Sequence, residues 1–107
     1  MRGDDVITGG ADNDHLYGGR GNDRISGGEG NDRIEGGLGD DALAGDAGND
    51  EIFGGDGNDL LVGGAGNDLL NGGAGIDHVL AADGEEDFIF TDGLDTLVID
   101  LLDHVLP

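Results

Sequence analysis

Residues 18–32 read Gly-Gly-Arg-Gly-Asn-Asp-Arg-Ile-Ser and then Gly-Gly-Glu-Gly-Asn-Asp, which is one nine-residue unit and the start of the next. Each full unit follows the pattern Gly-Gly-x-Gly-x-Asp-x-U-x, where U is a large aliphatic residue, and positions are numbered one to nine from the first glycine. A half unit at residues 3–8 comes first, and two degraded units begin at Ala81 and Phe90. The full units begin at Gly9, Gly18, Gly27, Gly36, Gly45, Gly54, Gly63 and Gly72. Identical tandem units favour a stacked, repetitive fold.

This repeat resembles the RTX nonapeptide repeat of bacterial secreted proteins, a calcium-binding parallel β-helix repeat. The match covers most of the chain. The resemblance implies an all-β fold of the parallel β-roll type. Such a roll is a right-handed β-helix with two nonapeptide repeats per coil and calcium ions in the turns. Odd and even units would then lie in two opposite parallel sheets.

The composition argues against a fold that depends on apolar burial alone. Apolar residues make up 36% of the 107 residues, and 25 residues are glycine, which loses the most backbone freedom on folding. The 25 acidic and 4 basic residues give a net charge of −21, a balance typical of disordered chains. A chain of this size needs a staple, and without cysteine the staple cannot be a disulfide. A bound metal ion is the remaining candidate.

Other classes of site find little support in the sequence. The negative charge makes nucleic acid and anionic membrane surfaces poor partners, and no apolar run reaches transmembrane length. His15, His78 and His104 lack zinc-binding spacing. The glycine turns contain a GxGxxG-like match, but the crossover helix of a nucleotide site does not follow it. No Ser–His–Asp or paired acid–base arrangement stands out, so we expect no catalytic residues in this chain.

Position eight carries one large apolar residue per unit, which predicts a very short strand with one inward side chain. Residues at positions seven and nine should then point outward. The outward pairs on one sheet include Leu60 with Val62 and His78 with Leu80, and those on the other sheet include Asp87 with Ile89. The predicted inward residues are Ile7, Leu16, Ile25, Ile34, Leu43, Ile52, Leu61, Leu70, Val79, Phe88, Leu97 and Leu106.

The repeat decays after residue 80, which divides the chain into β-roll repeats at 1–80 and degenerate repeats with a C-terminal cap at 81–107. Apolar density rises at once in the second part, and we expect it to cover the open end of the roll. An amphipathic helix over residues 96–106 is the alternative, because its spacing would place Leu97, Leu101 and Val105 on one face.

Position six is acidic in every unit, including the degraded ones. Stacked coils lie about 4.8 Å apart, so carboxylates two units apart would face each other and repel strongly without a cation between them. Calcium fits this environment because it takes six to eight oxygen ligands at about 2.3–2.6 Å in irregular geometry. The position-six residues are Asp5, Asp14, Asp23, Asp32, Asp41, Asp50, Asp59, Asp68, Asp77, Glu86 and Asp95.

The resemblance implies that each ion lies between turns n and n+2, held by position-six carboxylates and by backbone carbonyls of positions one and three or two and four. About six to nine Ca²⁺ ions are expected. Asp12, Asp46 and Ile76 depart from the motif, but their units keep the position-six aspartate, so their sites are retained. The implied ligands are Asp5, Gly10, Asp12, Asp14, Gly18, Gly19, Arg20, Gly21, Asp23, Gly27, Gly28, Glu29, Gly30, Asp32, Gly36, Gly37, Leu38, Gly39, Asp41, Gly45, Asp46, Ala47, Gly48, Asp50, Gly54, Gly55, Asp56, Gly57, Asp59, Gly63, Gly64, Ala65, Gly66, Asp68, Gly72, Gly73, Ala74, Gly75, Asp77 and Asp95.

These expectations describe a calcium-binding module that folds on calcium binding outside the cell, in the C-terminal part of a secreted bacterial protein of toxin, protease, lipase or epimerase type. Catalysis would then reside in a domain upstream of Met1, and the export signal of such proteins is C-terminal. The alternative is a calcium-dependent structural or adhesive stalk. Leu60, Val62 and Leu80 form an apolar strip that either the C-terminal tail or a second molecule would cover. The alternative is that these aliphatic residues are tolerated on the surface of a short sheet.

Overall fold

The computed structural model describes residues 3–81, 83–91, 95–99 and 104–106. Within these ranges all regular structure is short β-strand, and no helix has the length and apolar character needed to cross a lipid bilayer. The strands are β1 Val6–Gly10, β2 His15–Arg20, β3 Arg24–Gly28, β4 Arg33–Leu38, β5 Ala42–Ala44, β6 Glu51–Asp56, β7 Leu60–Val62, β8 Leu69–Asn71, β9 His78–Leu80, β10 Phe88–Phe90, β11 Thr96–Val98 and β12 His104–Leu106.

The strands form two parallel six-stranded sheets, one with the order β1-β3-β5-β7-β9-β11 and the other with the order β12-β10-β8-β6-β4-β2. Consecutive strands therefore alternate between the sheets, so two units make one coil. Each strand pairs with the strand two units away, as Ile7 does with Ile25 and Leu16 with Ile34. The predicted parallel β-roll is confirmed.

The core is a single layer of aliphatic side chains between the two sheets. Each short strand sends one residue inward, because successive side chains point to opposite faces. Ile7 and Leu16 at the N-terminal end and Leu97 at the other end are only partly buried. The fully buried layer consists of Ile25, Ile34, Leu43, Ile52, Leu61, Leu70, Val79, Ala81 and Ile89.

Strand β10 shifts the repeat by one residue, and the prediction for this unit was wrong. Ile89 is fully buried and pairs with Leu70, whereas Phe88 is 43% exposed. Asp87, predicted to point outward, is also fully buried. The unit from Ala81 has one extra residue before its acidic position, so every later side chain in that strand changes face.

The same shift continues into β12, where Val105 pairs with Ile89 and Leu106 with Phe90. Leu106 is thus not at the inward register position predicted for it. The alternative of a helix over residues 96–106 is wrong as well, because β11 and β12 each add a strand to one sheet. The His104 ring stacks on Phe88 with centroids 5.0 Å apart, and its Nε2 lies 2.6 Å from Glu86 Oε1. The division of the chain at residue 80 stays a prediction.

Candidate metal centre

The position-six aspartates form two hydrogen-bonded rows along the turns. Each aspartate directly precedes a strand, and its backbone N–H donates to Oδ1 of the aspartate at the same place two units later. These bonds measure 2.6–3.0 Å. One row is Asp5, Asp23, Asp41, Asp59, Asp77 and Asp95. The other row is Asp14, Asp32, Asp50, Asp68 and Asp87.

The second carboxylate oxygen, Oδ2, is buried in both rows and lacks a hydrogen-bond partner among the described residues at eight of these aspartates. An ionised carboxylate that loses water without gaining a partner is strongly destabilising, so these oxygens require either a proton or a cation. The eight residues are Asp5, Asp14, Asp23, Asp32, Asp41, Asp50, Asp59 and Asp68.

Glycine at position one leaves the space into which these oxygens point. A methyl group built on Gly36 would lie 2.5 Å from Asp41 Oδ2 and 2.7 Å from the carbonyl oxygen of Gly54. The same arrangement surrounds Gly18, with Asp23 Oδ2 at 2.5 Å and the Gly36 carbonyl oxygen at 2.7 Å. The carboxylate oxygen therefore occupies the place that a side chain at position one would need, beside a backbone carbonyl of the adjacent coil.

Left-handed backbone conformation at positions two and four shapes these turns. Asp12 and Asp46 replace glycine there and adopt φ values of 76° and 69°. Aspartate can replace glycine at these positions because it is among the few residues that enter the left-handed region readily. The Asp46 carboxylate accepts hydrogen bonds from Ser26 Oγ and, at 3.2 Å, from the Gly28 N–H. Its side chain is therefore engaged on the exposed surface.

Protonation equilibria show how strongly the central turns disfavour bare carboxylates. Burial, together with the smaller effect of nearby carboxylates, raises the pKa of Asp59 to about 7 and that of Asp68 to about 8. The backbone N–H that each carboxylate accepts opposes this shift without cancelling it. Burial likewise raises the pKa of Asp41 and of Asp50 to about 6. A divalent cation in the turn would remove this penalty.

The donor set fits calcium. Carboxylate and carbonyl oxygens converge at position one of these turns, which matches a hard cation with irregular oxygen coordination. Within each row the structure places aspartates two units apart next to each other, with Asp95 accepting the Asp77 N–H at 3.0 Å. Glu86 was wrongly placed in the row, since Asp68 donates instead to Asp87. The ligand roles of the individual residues stay predictions.

Two structural features of these turns were not predicted from the sequence, namely the place of Asp87 in the acidic row and the hydrogen bonds of position five. Asp87 could have been found, because Asp87-Phe88-Ile89 repeats the order acid, variable residue, aliphatic residue of each earlier unit. Position five forms a second ladder, in which its side-chain Oδ1 accepts the backbone N–H two units later, as Asn31 does from Asn49 at 2.8 Å. This ladder runs opposite to the aspartate rows and fixes the outer edge of each turn. Its signal was the recurrence of Asn or Asp at position five.

The His15 and Arg33 side chains lie on the outer sheet face, at position seven of their units. Arg33 lies 3.5 Å from Glu51 and 4.7 Å from the centre of the Phe53 ring, and His15 lies 2.5 Å from Glu35. Exposed pairs of this kind stabilise a fold only weakly. They relieve charge repulsion locally, at glutamates outside the acidic rows.

Comparison with known families agrees with this geometry. The family model for the RTX calcium-binding nonapeptide repeat, described as four copies, matches residues 1–25, 17–52, 35–70, 44–79 and 62–97. Together these matches span residues 1–97, which include both acidic rows and strands β1 to β10. No curated protein matches the chain.

Proposed function

Because this chain belongs to the family of RTX calcium-binding nonapeptide repeats, we propose that it is a calcium-driven folding module of a secreted protein. The repeats bind calcium within a β-roll, and a roll of this kind is a structural module that is not itself catalytic. The proposal concerns what calcium binding does. Calcium converts a chain that cannot remain folded alone into a rigid roll.

The observation that carries the proposal is the set of buried Oδ2 atoms without partners. Each such oxygen makes the metal-free roll unfavourable, and 25 glycines must also be ordered when the chain folds. A cation bound between coils satisfies these oxygens in the folded state only. Binding and folding are then one equilibrium, as in other metal-dependent small domains.

The number of ions follows from the number of paired turns. The described residues give five aspartate pairs in one row and four in the other, hence nine pairs two units apart. This count agrees with the upper end of the range of about six to nine Ca²⁺ ions expected from the motif. Each ion adds two positive charges, so the ions offset most of the net charge of −21.

The proposed place of action is outside the cell. Extracellular calcium modules bind at roughly 10⁻⁴–10⁻³ M, so this chain would stay unfolded in the cytosol and fold after export. An attached upstream domain of toxin, protease, lipase or epimerase type would then use the roll as a folding nucleus. The support is the energetic dependence on calcium described above, together with the family membership.

The outer face of the odd-numbered sheet supports a second role, self-association. Leu60 and Leu80 stay 39% and 38% exposed, and the described tail residues extend the sheets without covering them. Beside them a groove of about 300 Å³ lies over the small side chains of Ala42 and Ala44, and Val62 forms part of its rim. We propose that a second copy of the chain packs on this strip, which would also suit a stalk-like structural role.

Far-ultraviolet circular dichroism tests the folding proposal. The chain should be largely disordered in chelator and rich in β-structure in millimolar calcium. Magnesium should substitute poorly, because it requires near-ideal octahedral geometry and retains its waters. Identical spectra in chelator and in calcium would overturn the proposal, and an equal response to magnesium would overturn the assignment of calcium.

A further inference from the structure

Three acidic side chains converge where the nonapeptide spacing breaks down. Carboxylate oxygens of Asp68, Asp83 and Asp87 lie within 4.8 Å of one another, a grouping that no other acidic residues form in the described part of the chain. Asp68 and Asp87 belong to the acidic row already described, but they are 19 residues apart instead of 18. Asp83 is outside both rows, at position three of its unit.

The turn that carries Asp83 is built differently from the regular turns. In the preceding coil, the Gly66 N–H donates to the side chain of Glu85 at 3.1 Å. The opposite series of turns joins its coils through backbone bonds, as the Gly39 N–H does with the Asp56 carbonyl at 3.2 Å. The turn that carries Asp83 is thus held to the preceding coil by a side chain.

A backbone oxygen is correspondingly missing beside Asp68. A methyl group built on Gly45 would lie 2.8 Å from the carbonyl oxygen of Gly63, as in the other central turns. Around a methyl group built on Gly63, the three nearest atoms all belong to Asp68, and the third lies 3.3 Å away. Any carbonyl oxygen of the adjacent coil is therefore at least that far from the methyl group. The carbonyl oxygen of Ala81 therefore does not approach as its glycine counterparts do.

Asp68 nonetheless has the same unsatisfied oxygen as the regular turns. Its side chain is 1% exposed, and its Oδ2 has no hydrogen-bond partner among the described residues. The Asp83 carboxylate is meanwhile held in the turn, because its Oδ1 accepts the Glu85 N–H at 2.9 Å. An exposed carboxylate is thus fixed beside a buried one that lacks a partner, at the place where a carbonyl has been lost.

We propose that Asp83, Asp68 and Asp87 together bind a divalent cation through their side chains. This site lies at the C-terminal end of the acidic row that begins at Asp14. The inference rests on the proposed calcium function and extends it to a site outside the nonapeptide pattern. Asp83 supplies the oxygen that a glycine carbonyl supplies elsewhere. The site carries three carboxylates where a regular turn carries two, and calcium affinity rises with the number of charged ligands. This end of the roll therefore fills at lower calcium than the regular turns.

The test compares Asp83→Asn with Glu51→Gln. Both residues are exposed and both changes remove one negative charge, but Glu51 lies on the outer sheet face of β6 and is not part of a carboxylate cluster within the described ranges. Bound calcium is measured by atomic absorption after dialysis near the folding midpoint, which circular dichroism supplies. We expect Asp83→Asn to bind about one ion fewer than the wild type and to raise the midpoint by about twofold or more, with Glu51→Gln unchanged.

A third variant separates a ligand role from a turn-forming role. Asparagine keeps the Oδ1 that accepts the Glu85 N–H, whereas Asp83→Ala loses it. If Asp83 only shapes the turn, Asp83→Asn behaves like the wild type and Asp83→Ala alone is impaired, which overturns the inference. If Asp83 is a ligand, both variants lose the ion. Failure of the proposed function would look different, since the wild type itself would then bind no calcium.

Discussion

The backbone N–H of Asp41 donates a 2.7 Å hydrogen bond to Oδ1 of Asp59, while the other oxygen of Asp59 is buried without a hydrogen-bond partner in the described structure. The first oxygen holds two coils together, and the second, when ionised, carries a charge that the described residues leave without a hydrogen-bond partner. One side chain thus stabilises the stacking of coils and makes that stacking dependent on a cation. The same division of labour recurs along both acidic rows.

The metal-free roll should become more stable as the pH falls. The ordinary pKa of an aspartate is 3.8, and burial raises that of Asp59 to about 7 and that of Asp68 to about 8 in the roll. Between these values the folded chain binds more protons than the unfolded chain, so its stability decreases as the pH rises through this window. In chelator, circular dichroism should show more β-structure at pH 5 than at pH 8.

A matched pair of variants checks that the buried row causes this effect. Asp59→Asn removes a buried carboxylate and should reduce the difference between acid and neutral solution in chelator. Glu29→Gln removes an exposed charge and should leave that difference unchanged. The explanation fails if the two variants show the same pH profile.

Central aspartates should matter more than terminal ones for calcium binding. Asp41 is paired with both Asp23 and Asp59, whereas Asp5 is paired only with Asp23. Asp41→Ala should therefore weaken two sites, raise the calcium midpoint of folding and lower the cooperativity, because each repeat depends on its neighbours. Asp5→Ala should weaken one site. Equal calcium titration curves for the two variants would contradict the shared-ligand arrangement.

The regular part of the roll could be predicted from sequence because each unit carries all the residues that determine its structure. Glycine at position one leaves space for oxygen, aspartate at position six spans adjacent coils, and one aliphatic residue faces inward. Ile25, Ile34 and Leu43 appear where the nine-residue period places them. Because the units follow one strict period, a single assignment of inward and outward positions must fit all of them. The strand register was therefore well determined.

The degraded units could not be predicted in the same way. Once the motif is lost, the sequence does not show whether the unit keeps nine residues or contains one extra residue. Keeping the period placed Phe88 inside and Glu86 in the acidic row, whereas the structure buries Ile89 and Asp87. Burial decides between these registers: aliphatic Ile89 fits a layer of single aliphatic residues, and the larger Phe88 ring stacks on His104 at the surface. The role of Asp83 depends on this insertion and has no counterpart in the repeat.

The shifted register makes a direct prediction about stability. Ile89 is fully buried against the central layer, so Ile89→Ala should destabilise the calcium-bound roll by about 2–5 kcal/mol. Phe88→Ala removes a larger side chain that is 43% exposed, and it should cost much less. Urea unfolding in saturating calcium measures both. If Phe88→Ala is the more damaging change, the unshifted nine-residue register is correct after all.

The aliphatic strip of Leu60, Val62 and Leu80 should mediate self-association of the calcium-bound form. Leu60 and Val62 lie on β7 at positions seven and nine, away from the core residue Leu61, so replacing both with threonine leaves the inner layer and the calcium turns intact. Threonine is β-branched, which suits a strand, but it presents a hydroxyl to the partner. Light scattering in calcium should show a dimer for the wild type and a monomer for the double variant.

Replacing Val6 and Thr8 on the same sheet with serine is the control, because these exposed residues lie at the opposite end, on β1. A wild type that is monomeric at every concentration would leave the strip without this role.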